Sequence, residues 1–203
     1  MGQRSVVVDL AAEWSFTQRG LHALLYGYTR FYQGGRWEHS SVPETGPAIL
    51  ACNHVSVLDP LFLVASNQRI ISFLVAQEYY DKAWMRRLLE QTYSIPVRRD
   101  GRDVRALLQA RRMLEDGRVL GIFPEGGINR EETQKGLAWL VRESGAPVVP
   151  AHISGARQRR SDFSTWVHRQ RPLLRYGVPL HFHPDAHAAE VLGATMSAIA
   201  TLA

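Results

Sequence analysis

Residues 48–65, AILACNHVSVLDPLFLVA, decide how the chain is read. The opening AILACN is a short apolar run of strand length with polar residues behind it. Such a run reads as a strand buried on both faces. The closing DPLFLVA, continued by Ser66, reads as a helix. Pro60 fits there because a proline so near a helix start loses no hydrogen bond that the helix needs. Ser56 followed by Asp59 matches S-x-x-D, which predicts a capping box with Ser56 as the cap. The stretch is therefore strand, loop and helix, with Asn53 and His54 in the loop.

Downstream the alternation repeats. IISFLVA (70–76), YSIPVR (93–98), RVLGIF (118–123) and PVVPAHIS (147–154) read as strands. DKAWMRRLLEQ (81–91), RDVRALLQARRMLEDG (102–117), KGLAWLVRESG (135–145) and residues 185–203 read as helices, with Gly117 and Gly145 as stops. LLRYGVPLHFH (173–183) suggests one more strand pair. Strands and helices at this spacing argue for an α/β fold, a mostly parallel central sheet flanked by helices. In such sheets function collects in the loops at strand ends.

Upstream, residues 8–33 repeat apolar residues at helical spacing and read as one helix or two short ones. The turn-rich QGGRWEHSSVPETGP (33–47) follows as a connector. We expect residues 1–46 to be an N-terminal helical membrane-contact segment with its connector, and residues 47–203 to be the α/β domain. The aromatics Trp14, Phe16, Tyr26, Tyr28, Phe31, Tyr32 and Trp37 suit a membrane interface. They equally suit a helix face packed on a core, since the flanking charges balance.

The 203 residues suffice for one sizeable domain, and 45% hydrophobic against 21% charged residues is ordinary for a globular chain. No apolar run reaches the ~18 residues of a membrane span, and the N-terminus lacks the pattern of a signal peptide. The single cysteine, Cys52, forms no internal disulfide, fits a reducing compartment, and reads as a buried inert thiol. Of the 24 Lys and Arg residues only Lys82 and Lys135 are lysine, and the net charge is +5. An Arg-rich chain suits an anionic partner, because Arg grips phosphate bidentately. No nucleic-acid motif accompanies that charge, and its basic residues are spread along the chain.

His54 and Asp59 are five positions apart. In mid-helix, residues so spaced point roughly 140° away from each other. They meet only if His54 hangs in the loop and Asp59 sits in the first helical turn. An imidazole held by a carboxylate takes a proton from an attacking hydroxyl. No G-x-S-x-G elbow is present, so that hydroxyl is expected on a substrate. Taken alone, the spacing fits a purely structural contact as well. FPEGG (123–127) adds a strand-end carboxylate with two glycines, a backbone that an anion can approach closely. Arg130 follows, and Arg98 and Arg99 close another strand. Together these loops read as a phosphate-bearing substrate beside a base.

The ordered set resembles the glycerolipid acyltransferases, and within them the 1-acylglycerol-3-phosphate acyltransferases of the PlsC type. It comprises Asn53-His54 with Asp59, a strand ending in Arg99, FPEG, and the V-x-P strand around Pro150. The likeness runs from about residue 48 to 155. It implies transfer of a fatty acyl group from acyl-CoA or acyl-carrier protein to the free hydroxyl of a lysophospholipid, foremost 1-acylglycerol-3-phosphate, in phospholipid biosynthesis. It implies His54 as general base with Asp59 as its partner, and Arg99, Glu125 and Gly126 holding the acceptor's phosphate. It implies no cofactor and no metal, and a protein lying on the cytoplasmic face of the membrane without spanning it, in contact with membrane lipids. The sequence departs from the family pattern in two places. Gly127, Ile128 and Asn129 stand where Thr-Arg-Ser is common, with Arg130 as the substitute cation, and Ser94 stands where Gly is usual. Both fall on acceptor-binding loops, which leaves open a different lysolipid, such as a lyso-ornithine lipid, or a non-catalytic lipid- or CoA-binding relative.

Overall fold

The computed structural model describes residues 14–98, 103–125, 130–157 and 162–203. Its centre is a seven-stranded sheet in the order β1-β7-β6-β2-β5-β3-β4. The strands are β1 (Arg36–Trp37), β2 (Ala48–Cys52), β3 (Ile71–Ala76), β4 (Ile95–Val97), β5 (Val119–Ile122), β6 (Val148–Ser154) and β7 (Leu173–Tyr176). All pairs are parallel except β6 with β7. The strand pair expected at 173–183 is one strand and a single bridge, Val148 with Leu180. Pro179 breaks the second run, and a proline has no N–H to give to a ladder.

Every residue of β2 is buried, as its unbroken apolar run requires. Ala48, Leu50 and Cys52 face one hydrophobic cluster, and Ile49 and Ala51 face the other. The first cluster is covered by α1 (Phe16–Gly27) and α2 (Asp59–Ala65), the second by α5 (Val104–Glu115), α6 (Arg130–Ser144) and α8 (Ala188–Thr201). Two short helices, α3 (Gln77–Tyr80) and α4 (Ala83–Gln91), link β3 to β4, and α7 (Asp162–Val167) precedes β7. Gly117 and Gly145, the expected helix stops, have φ of 76° and 63°, a left-handed turn that costs glycine little.

Two features prepare the site. First, β3 changes partner midway. Ile71–Phe73 pair with β5, whereas Leu74–Ala76 pair with β4. The sheet therefore forks after Phe73 and Gly121. Second, α1 runs into a π-helical turn, Tyr28–Tyr32, whose side chains strap α7. The Tyr28 hydroxyl and the Gln33 amide both donate to the Trp166 carbonyl, at 2.6 and 3.0 Å. The N-terminal segment is thus helical where it is described, and Phe16, Leu24, Phe31 and Tyr32 stand exposed on it. Among the described residues no helix is long and apolar enough to cross a membrane.

Candidate active site

β2 carries the chain to the carboxyl end of the sheet, where the 53–58 loop begins. Asn53 anchors that loop. Its amide donates to the Ile153 carbonyl at 2.9 Å and its oxygen accepts the Ile153 N–H at 2.7 Å, so the loop is pinned to β6. Asp59 opens α2 with Leu58 as N-cap and no side-chain cap. The expected capping box forms only by half. The Asp59 carboxylate accepts the Ser56 N–H, but the Ser56 hydroxyl accepts from Leu58 at 3.3 Å and not from Asp59.

That arrangement brings His54 and Asp59 together. His54 Nδ1 lies 2.9 Å from Asp59 Oδ2, and against a carboxylate it is the donor. The same oxygen accepts the N–H groups of Val55 and Ser56, each at 2.7 Å. Asp59 is fully buried, and its other oxygen has no partner. Three donors on one oxygen fix the carboxylate in place. His54 is 30% exposed, and with Nδ1 committed its Nε2 is the free ring nitrogen. The ring stacks on Phe123 with centroids 4.3 Å apart, and Phe123 stacks on Phe73 at 5.8 Å. Phe73 lies over Gly121, where a Cβ would come within 2.3 Å of its ring. A glycine inside a strand is the sequence signal for such a close approach. Motif spacing alone singles out none of Gly121, Phe73 and the ring of Phe123.

Glu125 Oε2 accepts the His54 N–H at 3.4 Å, which ties the FPEG loop to the His54 loop. Arg99 and Gly126 lie outside the described residues, and Arg130 is described by its backbone alone, as the first residue of α6. Ser94 serves the sheet: its hydroxyl accepts the Phe73 N–H at 3.2 Å and lies 2.8 Å from the Thr92 hydroxyl. Cys52 is no competitor for His54. Burial pushes its thiol well above the ordinary range, and the charges of Asp59 and Glu125 push it the same way.

His54 opens onto a cavity of about 500 Å³. Leu25, Leu61, Val64, Phe73, Leu89 and Trp166 are among the apolar residues that wall it. A base held by a buried carboxylate at the mouth of an apolar cavity suits proton transfer to or from a substrate with a long hydrocarbon tail.

The profile of the acyltransferase family matches residues 37–154, more than half of the chain, and the protein belongs to that family. The chain is 24% identical over 154 residues to the 1-acyl-sn-glycerol-3-phosphate acyltransferase of Bacillus subtilis (strain 168), covering 74% of this chain and 75% of that one. Its fold matches the crystal structure of the 1-acyl-sn-glycerophosphate acyltransferase PlsC from Thermotoga maritima with a TM-score of 0.70 at 16% identity, over 91% of this chain and 79% of the other. The protein is an acyltransferase.

Proposed function

We propose that the protein transfers a fatty acyl group from acyl-CoA or acyl-carrier protein to the free hydroxyl of a lysophospholipid, 1-acylglycerol-3-phosphate first among them, in phospholipid biosynthesis. The observation that carries this reading is the His54–Asp59 pair at the mouth of the apolar cavity. The names of the similar proteins support the acceptor.

In this mechanism His54 Nε2 takes the proton of the acceptor hydroxyl as its oxygen attacks the thioester carbonyl. The Asp59 carboxylate stabilises the imidazolium that forms. The C–S bond then breaks, the ester is complete, and the proton on His54 passes to the leaving thiolate. Both substrates are bound together and no acyl-enzyme forms. The steps use a base and a thioester and call on no cofactor or metal. Arg99, Gly126 and Arg130 are assigned to the acceptor's phosphate. Glu125 acts by holding the His54 backbone, since two negative groups would repel each other.

Phe16, Leu24, Phe31 and Tyr32 supply apolar contact for the N-terminal segment to lie on the cytoplasmic face of a bilayer as a peripheral or monotopic protein. The changed residues at 127–129 and Ser94 favour a second reading, in which the acceptor is another lysolipid, such as a lyso-ornithine lipid.

The test is thiol release from palmitoyl-CoA with a panel of lysolipids, for wild type and His54→Ala. Turnover lost in the variant is expected. Equal turnover in both would overturn the role of His54, and turnover with another lysolipid alone would move the assignment to the second reading.

A further inference from the structure

The loop before β7 holds a strained residue that the acyl-transfer chemistry does not use. Arg171 has a φ of 54°, in the left-handed region that glycine enters readily and other residues seldom do. Its neighbours enforce that conformation. Gln33 is fully buried, and its carbonyl accepts the Arg171 N–H at 3.0 Å. The Gln33 side-chain oxygen accepts the Gln170 N–H at 3.1 Å. Its amide donates to the Tyr28 hydroxyl at 2.8 Å as well as to the Trp166 carbonyl. Gln170 in turn accepts the Arg157 N–H at 2.9 Å. On the other side the Arg171 carbonyl packs against Gly155, where a Cβ would come within 3.1 Å of it. A buried glutamine thus commits its side chain and its carbonyl to keeping an exposed loop in one strained shape.

That shape sets two arginines side by side. A Cβ built on Gly34 would lie 3.3 Å from a guanidinium nitrogen of Arg169 and 3.3 Å from Cγ of Arg171. The two side chains therefore cover the same spot, and a side chain at position 34 would press on both. Arg169 Nη2 donates to the Phe31 carbonyl at 3.2 Å, which fixes its end of the pair. Both arginines are exposed, as are Arg30, Arg36 and Arg157 on the adjoining turns. None of the five takes part in an ion pair among the described residues. Cations gathered without a carboxylate repel one another. An anion relieves that repulsion, and guanidinium forks match the oxygens of a phosphate.

We propose that Arg169 and Arg171 form a binding site for the phosphate of an anionic bilayer phospholipid, apart from the acyl-transfer site. The surroundings select the bilayer as the source of that phosphate. Phe31, Tyr32 and Val167 stand exposed beside the pair, joined to it through the bonds of Arg169 to Phe31 and of Tyr32 to Val167. Apolar and aromatic side chains of this kind enter the outer part of a leaflet, and cations beside them come to rest at the level of the phosphates. The site extends the membrane contact proposed for the N-terminal segment to a loop near the other end of the chain. The choice of a lipid phosphate rests on that reading, whereas the anion site itself does not.

The test is sedimentation with mixed vesicles of phosphatidylcholine and phosphatidylglycerol. Arg169→Gln/Arg171→Gln should weaken binding about thirtyfold, the attraction of two cations to an anionic surface. Arg105→Gln/Arg112→Gln removes two exposed charges from α5 and should stay within about twofold of wild type. An equal loss in both double variants would reduce the effect to net charge and overturn the site. Arg169→Lys/Arg171→Lys keeps the charge and loses the planar forks, so binding should fall about fivefold, and full affinity would overturn the site. Should the glutamine pair fail to fold, the lysine pair, whose stems still cover Gly34, carries the test. Arg171→Gly should hold or raise Tm by releasing the strained backbone and still weaken binding, and undiminished binding would count against the proposal. CoA alone, titrated by calorimetry, decides the source of the phosphate. It should bind wild type and the glutamine pair alike. CoA binding lost in that pair, with vesicle binding kept, would assign the arginines to the donor and overturn the proposal, as would a wild type that binds no anionic vesicle. If Phe31→Ser left vesicle binding intact while the glutamine pair lost it, the apolar contact would fail and the phosphate site would stand.

Discussion

Replacing Asp59 by asparagine tests what the buried carboxylate supplies. The side chains are alike in shape, so the amide oxygen can take the place of Oδ2 and keep the N–H groups of Val55 and Ser56. The amide nitrogen then falls where Oδ1 stands, a buried position with no partner. An unsatisfied buried donor costs about 1–3 kcal/mol. For a chain of this length that lowers Tm by roughly 2–4 °C per kcal/mol, and the protein stays folded at 25 °C. The effect on rate is larger. Nδ1 of His54 still finds an acceptor, but the negative charge beside the imidazolium is gone. Two unit charges about 4 Å apart at an effective dielectric constant of about 20 interact by about 4 kcal/mol. Each ~1.4 kcal/mol is a factor of ten, so kcat should fall about 10³-fold. The assay is thiol release at saturating donor and acceptor, with Tm measured on the same samples. The double variant His54→Ala/Asp59→Asn should fall little below His54→Ala, because the two residues act as a unit. A kcat within tenfold of wild type, at a Tm lowered as expected, would refute the claim that the imidazole depends on that charge.

Other outcomes follow from the same geometry. Gly121→Ala places a methyl 2.3 Å from the Phe73 ring and forces it to move. Overpacking of this kind costs about 1–3 kcal/mol, and because Phe73 backs Phe123 and Phe123 backs His54, kcat should fall more than KM rises; unchanged kcat in a destabilised protein would show that the stack does not position the ring. Cys52→Ala should keep kcat within about twofold, and an alkylating reagent should reach the native thiol only on unfolding, since deep burial keeps it protonated; an acid-stable acyl group trapped on Cys52 would contradict direct transfer. Phe31→Ser removes a side chain that is 72% exposed, so stability should stay within about 0.5 kcal/mol. Sedimentation with anionic lipid vesicles should weaken, and unchanged binding would remove Phe31 from the membrane face.

The order of strands and helices was legible because β2 and β5 are unbroken apolar runs, β6 opens on one, and α5 and α6 stop at glycines that the left-handed turn favours. What escaped the sequence was held by long-range partners. β1 is two residues inside a turn-rich connector, and it exists because β7, more than a hundred positions away, offers the Pro172 and Leu174 carbonyls to Arg36 and Glu38. α7 sits in a polar stretch with no helical period, and it is strapped down by Tyr28, Tyr32 and Gln33. Neither bond leaves a mark in the local pattern.

The site divides in the same way. His54 and Asp59 could be placed together from spacing and a helix start, since their contact is local. The ring stack could not, because Phe73, Gly121 and Phe123 come from two strands and meet only once β5 lies beside β3. Ser94, a local departure from the family pattern, also has a structural task that the sequence around it does not show: its hydroxyl accepts the N–H of Phe73, the last residue of β3 to pair with β5. Its hydroxyl therefore braces the fork from the β4 side. A glycine at that position could not supply this bond, and the Phe73 N–H would need another acceptor. The same few residues thus close the sheet below the fork and hold the ring stack that backs the imidazole.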